Sequence, residues 1–154
     1  MIVVREGIKE DIQQVFDLIM ELAIFEKGED EVINTPQKML QEAFSKKPNF
    51  GFFVAEKNGK IVGTSIFYVR YSTWKGSTLY LEDLIVTERE RGKGIGAELF
   101  NKTLELASKK GYQRLSWQVL NWNQQAIDFY KSFDATFDEE WINCHLNVGV
   151  NQKY

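Results

Sequence analysis

ERERGKGIGAELF, residues 88–100, sets three glycines within five positions at a point where a helix is about to begin. Each glycine weakens a helix by roughly 1 kcal/mol relative to alanine, so their presence there needs a reason. An apolar stretch, LEDLIV (residues 81–86), precedes them, and apolar residues at helical spacing follow. A strand that passes into a helix over glycines lets main-chain N–H groups approach an anion with no Cβ in the way. Arg89, Arg91 and Lys93 add positive charge to that turn in a chain of net charge −3.

Four readings of the turn compete. A phosphate loop of the form G-x-x-x-x-G-K-[ST] fails, because Lys93 lies between the glycines and no hydroxyl follows it. Gly92, Gly94 and Ala97 satisfy the letter of the dinucleotide fingerprint, but that motif wants an acidic residue about 20 positions on. No Asp or Glu lies between Leu106 and Ile127. A tight surface turn with solvated charges is the plain structural reading. A diphosphate loop joining a central strand to a helix accounts for the glycines, the charges and both flanks.

Working outward from the turn, residues 2–5 read as a short strand. From Ile8, apolar residues at helical spacing run through Ala23. Thr35-Pro36 has the form of an N-cap and first-turn proline, opening a helix to about Phe44. Residues 50–56 and 60–71 read as strands joined at Asn58-Gly59, a hairpin turn. Residues 78–86 form the third strand of this meander. A helix from about Ile95 to Lys110 buries Leu99, Phe100, Thr103, Leu104 and Ala107, and Gly111 ends it. Then come a strand (residues 114–120), a helix (123–133) and two closing strands (135–137 and 141–148). The expected fold is therefore α/β of the α+β kind: a mixed, mostly antiparallel central sheet with helices on both faces. No linker or repeat divides the chain, and residues 1–154 are expected to form a single domain.

Composition bounds the function. Hydrophobic residues make up 44% and charged residues 27% of 154 residues, ordinary for a globular domain. The slight negative charge argues against a general nucleic-acid binder. No apolar run approaches the ~18–20 residues that span a bilayer, and no secretory leader is visible. One cysteine forms no internal disulfide, and a cytoplasmic location is expected. No His, Cys or carboxylate cluster has metal-ligand spacing. His145, the sole histidine, reads as structural, and Cys144 beside it has no base partner.

Arg91-Gly92-Lys93-Gly94-Ile95-Gly96 resembles the R/Q-x-x-G-x-G/A motif of the GNAT acetyltransferases. Nearly the whole chain shares that likeness. Residues 21–27 (ELAIFEK), 71–76 (YSTWKG), 80–86 (YLEDLIV), 91–96 and 119–131 (VLNWNQQAIDFYK) are closest to the diamine acetyltransferases, the spermidine/spermine group, and within it to the thialysine branch. The resemblance implies acetyl-CoA as the ligand of the turn. It implies that Arg91, Gly92, Lys93, Gly94, Ile95, Gly96 and Ala97 surround the diphosphate. Leu84, Ile85 and Val86 match the strand edge that pairs with the pantetheine arm, and Asn123, Gln124, Gln125 and Ala126 flank the coenzyme's tail. Tyr130 falls on the general acid and Glu82 on the acidic residue that binds or deprotonates the amine. Phe25, Glu26, Trp74, Asp83, Ser116, Trp117 and Gln118 match positions near the amine. A homodimer is implied, with the aromatic C-terminal strand as a contact. The polyamine enzymes carry aspartate where this chain has Ser72, and tyrosine at Phe25. Both departures favour thialysine-like or short diamine acceptors over long polyamines. Phe133-Asp134 replaces a glycine after the tyrosine-bearing helix, and Asp tolerates a left-handed turn better than most residues.

These residue types suit acetyl transfer. A lysine-like amine has a pKa of about 10.4, so a site must bind the cation and then remove its proton. Glu82 and Asp83 are adjacent in a strand, and strict alternation puts them on opposite faces. Glu82 is the candidate base, acting directly or through water. A main-chain N–H near Ile85 or Val86 is placed to stabilise developing oxyanion charge. Tyr130, ordinary pKa about 10, can return a proton to the departing thiolate. Glu29, Asp30 and Glu31 read as a solvated loop that also steers cations. The alternatives are acetylation of a protein lysine or N-terminus, and a non-catalytic coenzyme-binding module.

Overall fold

Asn58 and Gly59 have φ of 52° and 76°, the left-handed pair that a two-residue hairpin demands. They join β2 (Gly51–Lys57) to β3 (Lys60–Ser72), and a turn at residues 73–75 leads into β4 (Gly76–Val86). In this computed structural model, which describes residues 1–149, β1 (Ile2–Glu6) and β5 (Leu115–Ser116) complete one sheet in sequence order. Every neighbouring pair is antiparallel except β4–β5, which is parallel. The helices are α1 (Ile12–Phe25), α2 (Pro36–Ala43), α3 (Ile95–Lys109) and α4 (Gln124–Lys131). The chain divides into a compact unit Met1–Gln118, holding the sheet and α1 to α3, and a second unit from Val119 that holds α4.

The strands are apolar on both faces because each face is covered. One layer joins Ile12, Val15 and Leu18 of α1, and Met39 and Ala43 of α2, to Phe52, Val54, Ile61, Ile66 and Ile85. The other joins Ile95, Leu99 and Ala107 of α3 to Phe53, Ala55, Val62, Phe67 and Leu79. Each fully buried Leu, Ile or Phe contributes about 1.5–3 kcal/mol. Gly63 lets α3 sit close to the sheet. A Cβ there would lie 3.0 Å from both the Ile85 carbonyl oxygen and a Leu99 methyl. On the α3 side the hydroxyl of Thr103 meets the Ser65 hydroxyl at 3.0 Å and the Leu99 carbonyl at 2.8 Å, all three residues fully buried.

Local signals translate directly into structure. The Thr35 hydroxyl accepts from the Lys38 amide at 3.2 Å, with Pro36 in the first turn of α2. Gly111, at φ 72°, ends α3. The first helix begins later than its apolar spacing suggests, because Asp11 accepts from the Ile8 amide and holds residues 9–11 in a 3₁₀ turn. Leu104 lies outside the α3 core and is 36% exposed. The strand expected over residues 114–120 is only Leu115–Ser116. Residues 135–137 and 141–148 form no strand among the described residues. Their alternation is strand-like, but a strand exists only by pairing, and Trp141, Ile142, Leu146 and Val148 are exposed.

Candidate active site

β4 has one covered and one open edge. On one side it pairs with β3 from Gly76 to Val86; on the other, β5 meets it only at Leu79 and Tyr80. Beyond Tyr80, that edge has no strand neighbour among the described residues. Leu84, Ile85 and Val86 lie on this stretch. Ile85 is buried in the α1–α2 layer, while Leu84 and Val86 pack on the α3 layer. Their side chains belong to the core, and their main chain is what the edge offers.

The open stretch begins at an irregularity. Ile66 pairs with Asp83 and the next residue, Phe67, with Leu81, so Glu82 is an extra residue opposite that step. A bulge of this kind breaks alternation and re-aims side chains. Packing shows the break: Leu79 lies in the α3 layer, yet Ile85, six residues on, lies in the opposite one. The expectation that Glu82 and Asp83 simply alternate across a regular strand is therefore corrected. Glu82 is exposed and Asp83 half-buried. Burial, then the charges of Glu82 and Glu26, push the Asp83 carboxyl up to about 7. Glu26, just past α1, is exposed as a residue, but neighbouring protein atoms desolvate its carboxyl and raise it above the usual range. Desolvation, then the Glu82 charge, likewise raises the hydroxyls of Tyr68 and Tyr80. Glu26, Glu82 and Asp83 thus share one electrostatic neighbourhood.

β4 runs through Thr87 and the 3₁₀ turn Glu88–Glu90 into the glycines. Gly92 and Gly94 have φ of 73° and 83°, conformations that L residues rarely adopt, and an added Cβ at either would meet nothing within 4 Å. Gly94 is the N-cap of α3 and supplies no side chain to its first-turn amides. Ile95, Gly96 and Ala97 open the helix, where N–H groups lack intrahelical acceptors. Arg91 donates from Nε to the Val86 carbonyl at 2.9 Å, and its guanidinium carbon lies 5.5 Å from the Phe25 ring centroid. Lys93 donates to the Arg89 carbonyl at 3.1 Å and to Glu90 at 2.9 Å. Glu90 also accepts from Lys57 at the end of β2. Glu21 of α1 accepts from the Thr87 hydroxyl and the Glu88 amide, both at 3.0 Å. Lys57, Glu21 and Glu90 escape sequence reading because their contacts span 33 to 67 residues.

The other expected residues of the first unit are more dispersed. Trp74, at the β3–β4 turn, is 88% exposed. Ser72 accepts from the amides of Trp74 and Lys75, so it shapes this turn. Ser116 lies in β5 opposite Tyr80, and Trp117 meets Phe100 edge-on at 5.2 Å. Gln118 closes the unit. Tyr68 and Tyr80, cross-strand partners with centroids 5.3 Å apart, were missed. Counting back from the Asn58-Gly59 turn gives only the register of β2, so their pairing was beyond local reading.

In the second unit, the Asn123 side chain accepts from the Ala126 amide at 3.2 Å and caps α4. Gln124 donates to Asp128 at 2.7 Å, and Gln125 is exposed. Tyr130 is buried, with Phe129 edge-on at 5.3 Å. Asp134 adopts φ 59°, so the turn after this helix keeps its left-handed residue without glycine. Among the described residues no helix is long and apolar enough to cross a membrane.

With this geometry in hand, comparison with known proteins is informative. The Acetyltransferase (GNAT) family model matches residues 12–134. The chain is similar to the thialysine N-epsilon-acetyltransferase of Bos taurus, 36% identical over 151 residues, covering 91% of this chain and 89% of that protein. It is also similar to the spermidine/spermine N(1)-acetyltransferase-like protein 1 of Homo sapiens, 33% identical over 154 residues, 94% of this chain but 22% of that one. An aminoglycoside acetyltransferase from an uncultured soil metagenomic sample has the same fold, with TM-score 0.79 and 23% identity over 96% of this chain and 97% of that one.

Proposed function

The chain belongs to the GNAT acetyltransferase family and is an N-acetyltransferase, and from that premise we propose that it moves the acetyl group of acetyl-CoA to a primary amine of a small molecule. Thialysine-like amino acids, diamines and polyamines are the acceptor class. One observation carries the reading: the open edge of β4 starts at a bulged acidic pair and leads into a glycine turn opening α3. Both units of the chain are taken as one acetyltransferase domain, since the family match runs across their boundary.

The residues present fit acetyl-CoA. Open space over Gly92 and Gly94, beside first-turn amides with no side-chain cap, suits a diphosphate. Arg91, Lys93, Ile95, Gly96 and Ala97 surround it, and the β4 edge at Leu84, Ile85 and Val86 suits an amide-bearing arm. Asn123, Gln124, Gln125 and Ala126 flank its tail. When bound, acetyl-CoA supplies a thioester whose acetyl carbon bonds to the amine nitrogen as its bond to sulfur breaks.

The carboxylates of Glu82, Asp83 and Glu26 attract the ammonium form of the acceptor. Glu82, directly or through water, takes the proton that leaves the nitrogen lone pair free. Asp83, held near 7, exchanges protons in the same range and keeps negative charge from accumulating. A main-chain N–H near Ile85 or Val86 donates to the acetyl oxygen as charge grows there. Tyr130 gives its proton to the coenzyme's sulfur, and the second proton, released by the acetylated nitrogen, returns to the tyrosine through solvent. Phe25, Trp74, Ser116, Trp117 and Gln118 shape the acceptor's surroundings. A homodimer belongs to the same reading, supported by the exposed Trp141 and Ile142, and sedimentation of the purified protein checks it.

Thiol release from acetyl-CoA, followed with a panel of amines, tests the assignment. Glu82→Gln and Tyr130→Phe should each lower kcat at least tenfold while binding of coenzyme A, read by calorimetry, is retained. Wild-type turnover rates in both variants would refute their roles.

A further inference from the structure

Arg70 occupies β3 opposite Thr78, whose hydroxyl donates to the Arg70 carbonyl at 2.9 Å. Its side chain turns along the strand pair, and the guanidinium carbon lies 5.3 Å from the Tyr80 ring centroid. Tyr80 in turn packs on Tyr68. Glu82 follows two residues beyond Tyr80, and its charge bears on both tyrosines. A cation, a pair of aromatic rings and a carboxylate therefore succeed one another along β3 and β4.

Two features separate Arg70 from an ordinary solvated arginine. Among the described residues its guanidinium forms no ion pair or hydrogen bond, whereas Arg5, Lys57 and Lys93 are ion-paired and Arg91 donates to the Val86 carbonyl. It also lies in line with the acidic pair at the bulge. Arg70 is exposed, so its fork of donors is open to a planar, bidentate acceptor such as a carboxylate.

We propose that Arg70 is a specificity-determining residue that binds a carboxylate at the far end of the acceptor, so that the favoured substrate is an amino acid carrying a side-chain primary amine. This rests on the reading of Glu82 as the partner of the reacting amine. The dimensions agree. Four residues of strand separate Thr78 from Glu82, roughly 13 Å at about 3.3 Å each, and the lean of Arg70 over Tyr80 shortens the gap between charges to the order of 10 Å. A lysine-like chain places its carboxyl and amine roughly 7 Å apart at full extension by standard bond lengths, so with a hydrogen bond of about 2.8 Å at each end it reaches up to about 13 Å and bridges the gap with its chain bent. The methylene or thioether chain lies over the tyrosines. A diamine or polyamine instead brings a second cation to Arg70, and like charges repel.

The test compares two acceptors that differ only in the carboxylate: thialysine and its decarboxylated counterpart, bis(aminoethyl) sulfide. Steady-state kinetics at saturating acetyl-CoA are measured for the wild-type protein, Arg70→Ala and Arg70→Lys. For thialysine, Arg70→Ala should raise KM about tenfold to a hundredfold with a much smaller change in kcat, and Arg70→Lys should recover part of the loss. For bis(aminoethyl) sulfide, Arg70→Ala should lower KM, because a like charge has gone. Equal KM changes for both acceptors, or none for either, would overturn the role of Arg70 while leaving the acetyltransferase reading intact. Failure of the wild-type protein to acetylate either amine, with coenzyme A still bound in calorimetry, would overturn both.

Discussion

Replacing Asp83 by Asn should stabilise the protein, and by an amount that depends on pH. Asp83 is held near 7 against an ordinary value of 3.8, first by burial and then by the charges of Glu82 and Glu26. In the unfolded chain the carboxyl ionises near 3.8, so between that pH and about 7 the unfolded state gains from ionisation while the native state does not. The native fold therefore loses stability as pH rises through this window, and the loss is constant above it. Below about pH 3.8 both states are protonated and the group contributes nothing. The gap is about three pH units at about 1.4 kcal/mol each, or about 4 kcal/mol at pH 8. For a chain of this length that is about 8–16 °C in Tm. Asn has the same shape and no charge to desolvate. Thermal unfolding of wild type and Asp83→Asn at intervals from pH 4 to pH 8 measures the difference. The two curves should nearly coincide at pH 4, diverge toward pH 7 and run parallel beyond. A gap that ignores pH, or an Asn variant less stable at pH 8, would show that Asp83 is not a desolvated, repelled carboxyl. The same substitution should slow acetyl transfer, since stability withheld at such a group is characteristic of a working site.

Two other substitutions probe the scaffold. Gly94→Ala places a Cβ where nothing crowds it but φ is 83°, so the cost is conformational, about 1–2 kcal/mol; Tm should fall by a few degrees and the KM for acetyl-CoA should rise, and no change in either would remove the turn from the binding site. Thr103→Val keeps shape but takes a partner from the buried Ser65 hydroxyl, which should cost about 1–3 kcal/mol; in denaturant titrations the double variant with Ser65→Ala should be less destabilised than the sum of the two singles, and strict additivity would deny the pairing.

What could be read from sequence was what neighbouring residues decide. Asn58-Gly59, Thr35-Pro36, Gly111 and the glycines before α3 each act within a turn of the chain, and each sits where its chemistry predicts. The two-sided burial of the meander was legible because its strands are apolar throughout. The losses came where a distant partner decides. Alternation at residues 141–148 looked like a strand, but pairing is a property of two segments. Leu104 fits the apolar stripe of α3 by spacing, yet it stands outside the core that Ile95, Leu99 and Ala107 join. The bulge at Glu82 is invisible in LEDLIV, since it is set by the register of β3. Arg91 and Lys93 were rightly placed at the turn, but their fastening to Val86, Phe25 and Glu90 depends on contacts that spacing alone does not reveal.

The extra residue in β4 also acts as a parity switch. Residues before it and after it are counted with opposite phase, which is why Leu79 serves one apolar layer and Ile85 the other. Drawing Glu82 into the ladder as an ordinary residue would reverse the face of every side chain from Asp83 to Val86, driving Ile85 out of its layer and turning Leu84 and Val86 away from theirs, whereas deleting it would leave a regular strand with each of them in place. While Glu82 is present, the irregularity is thus locked in from both sides of the sheet, and the acidic pair stands at the one position in the strand that packing itself forbids the chain to regularise.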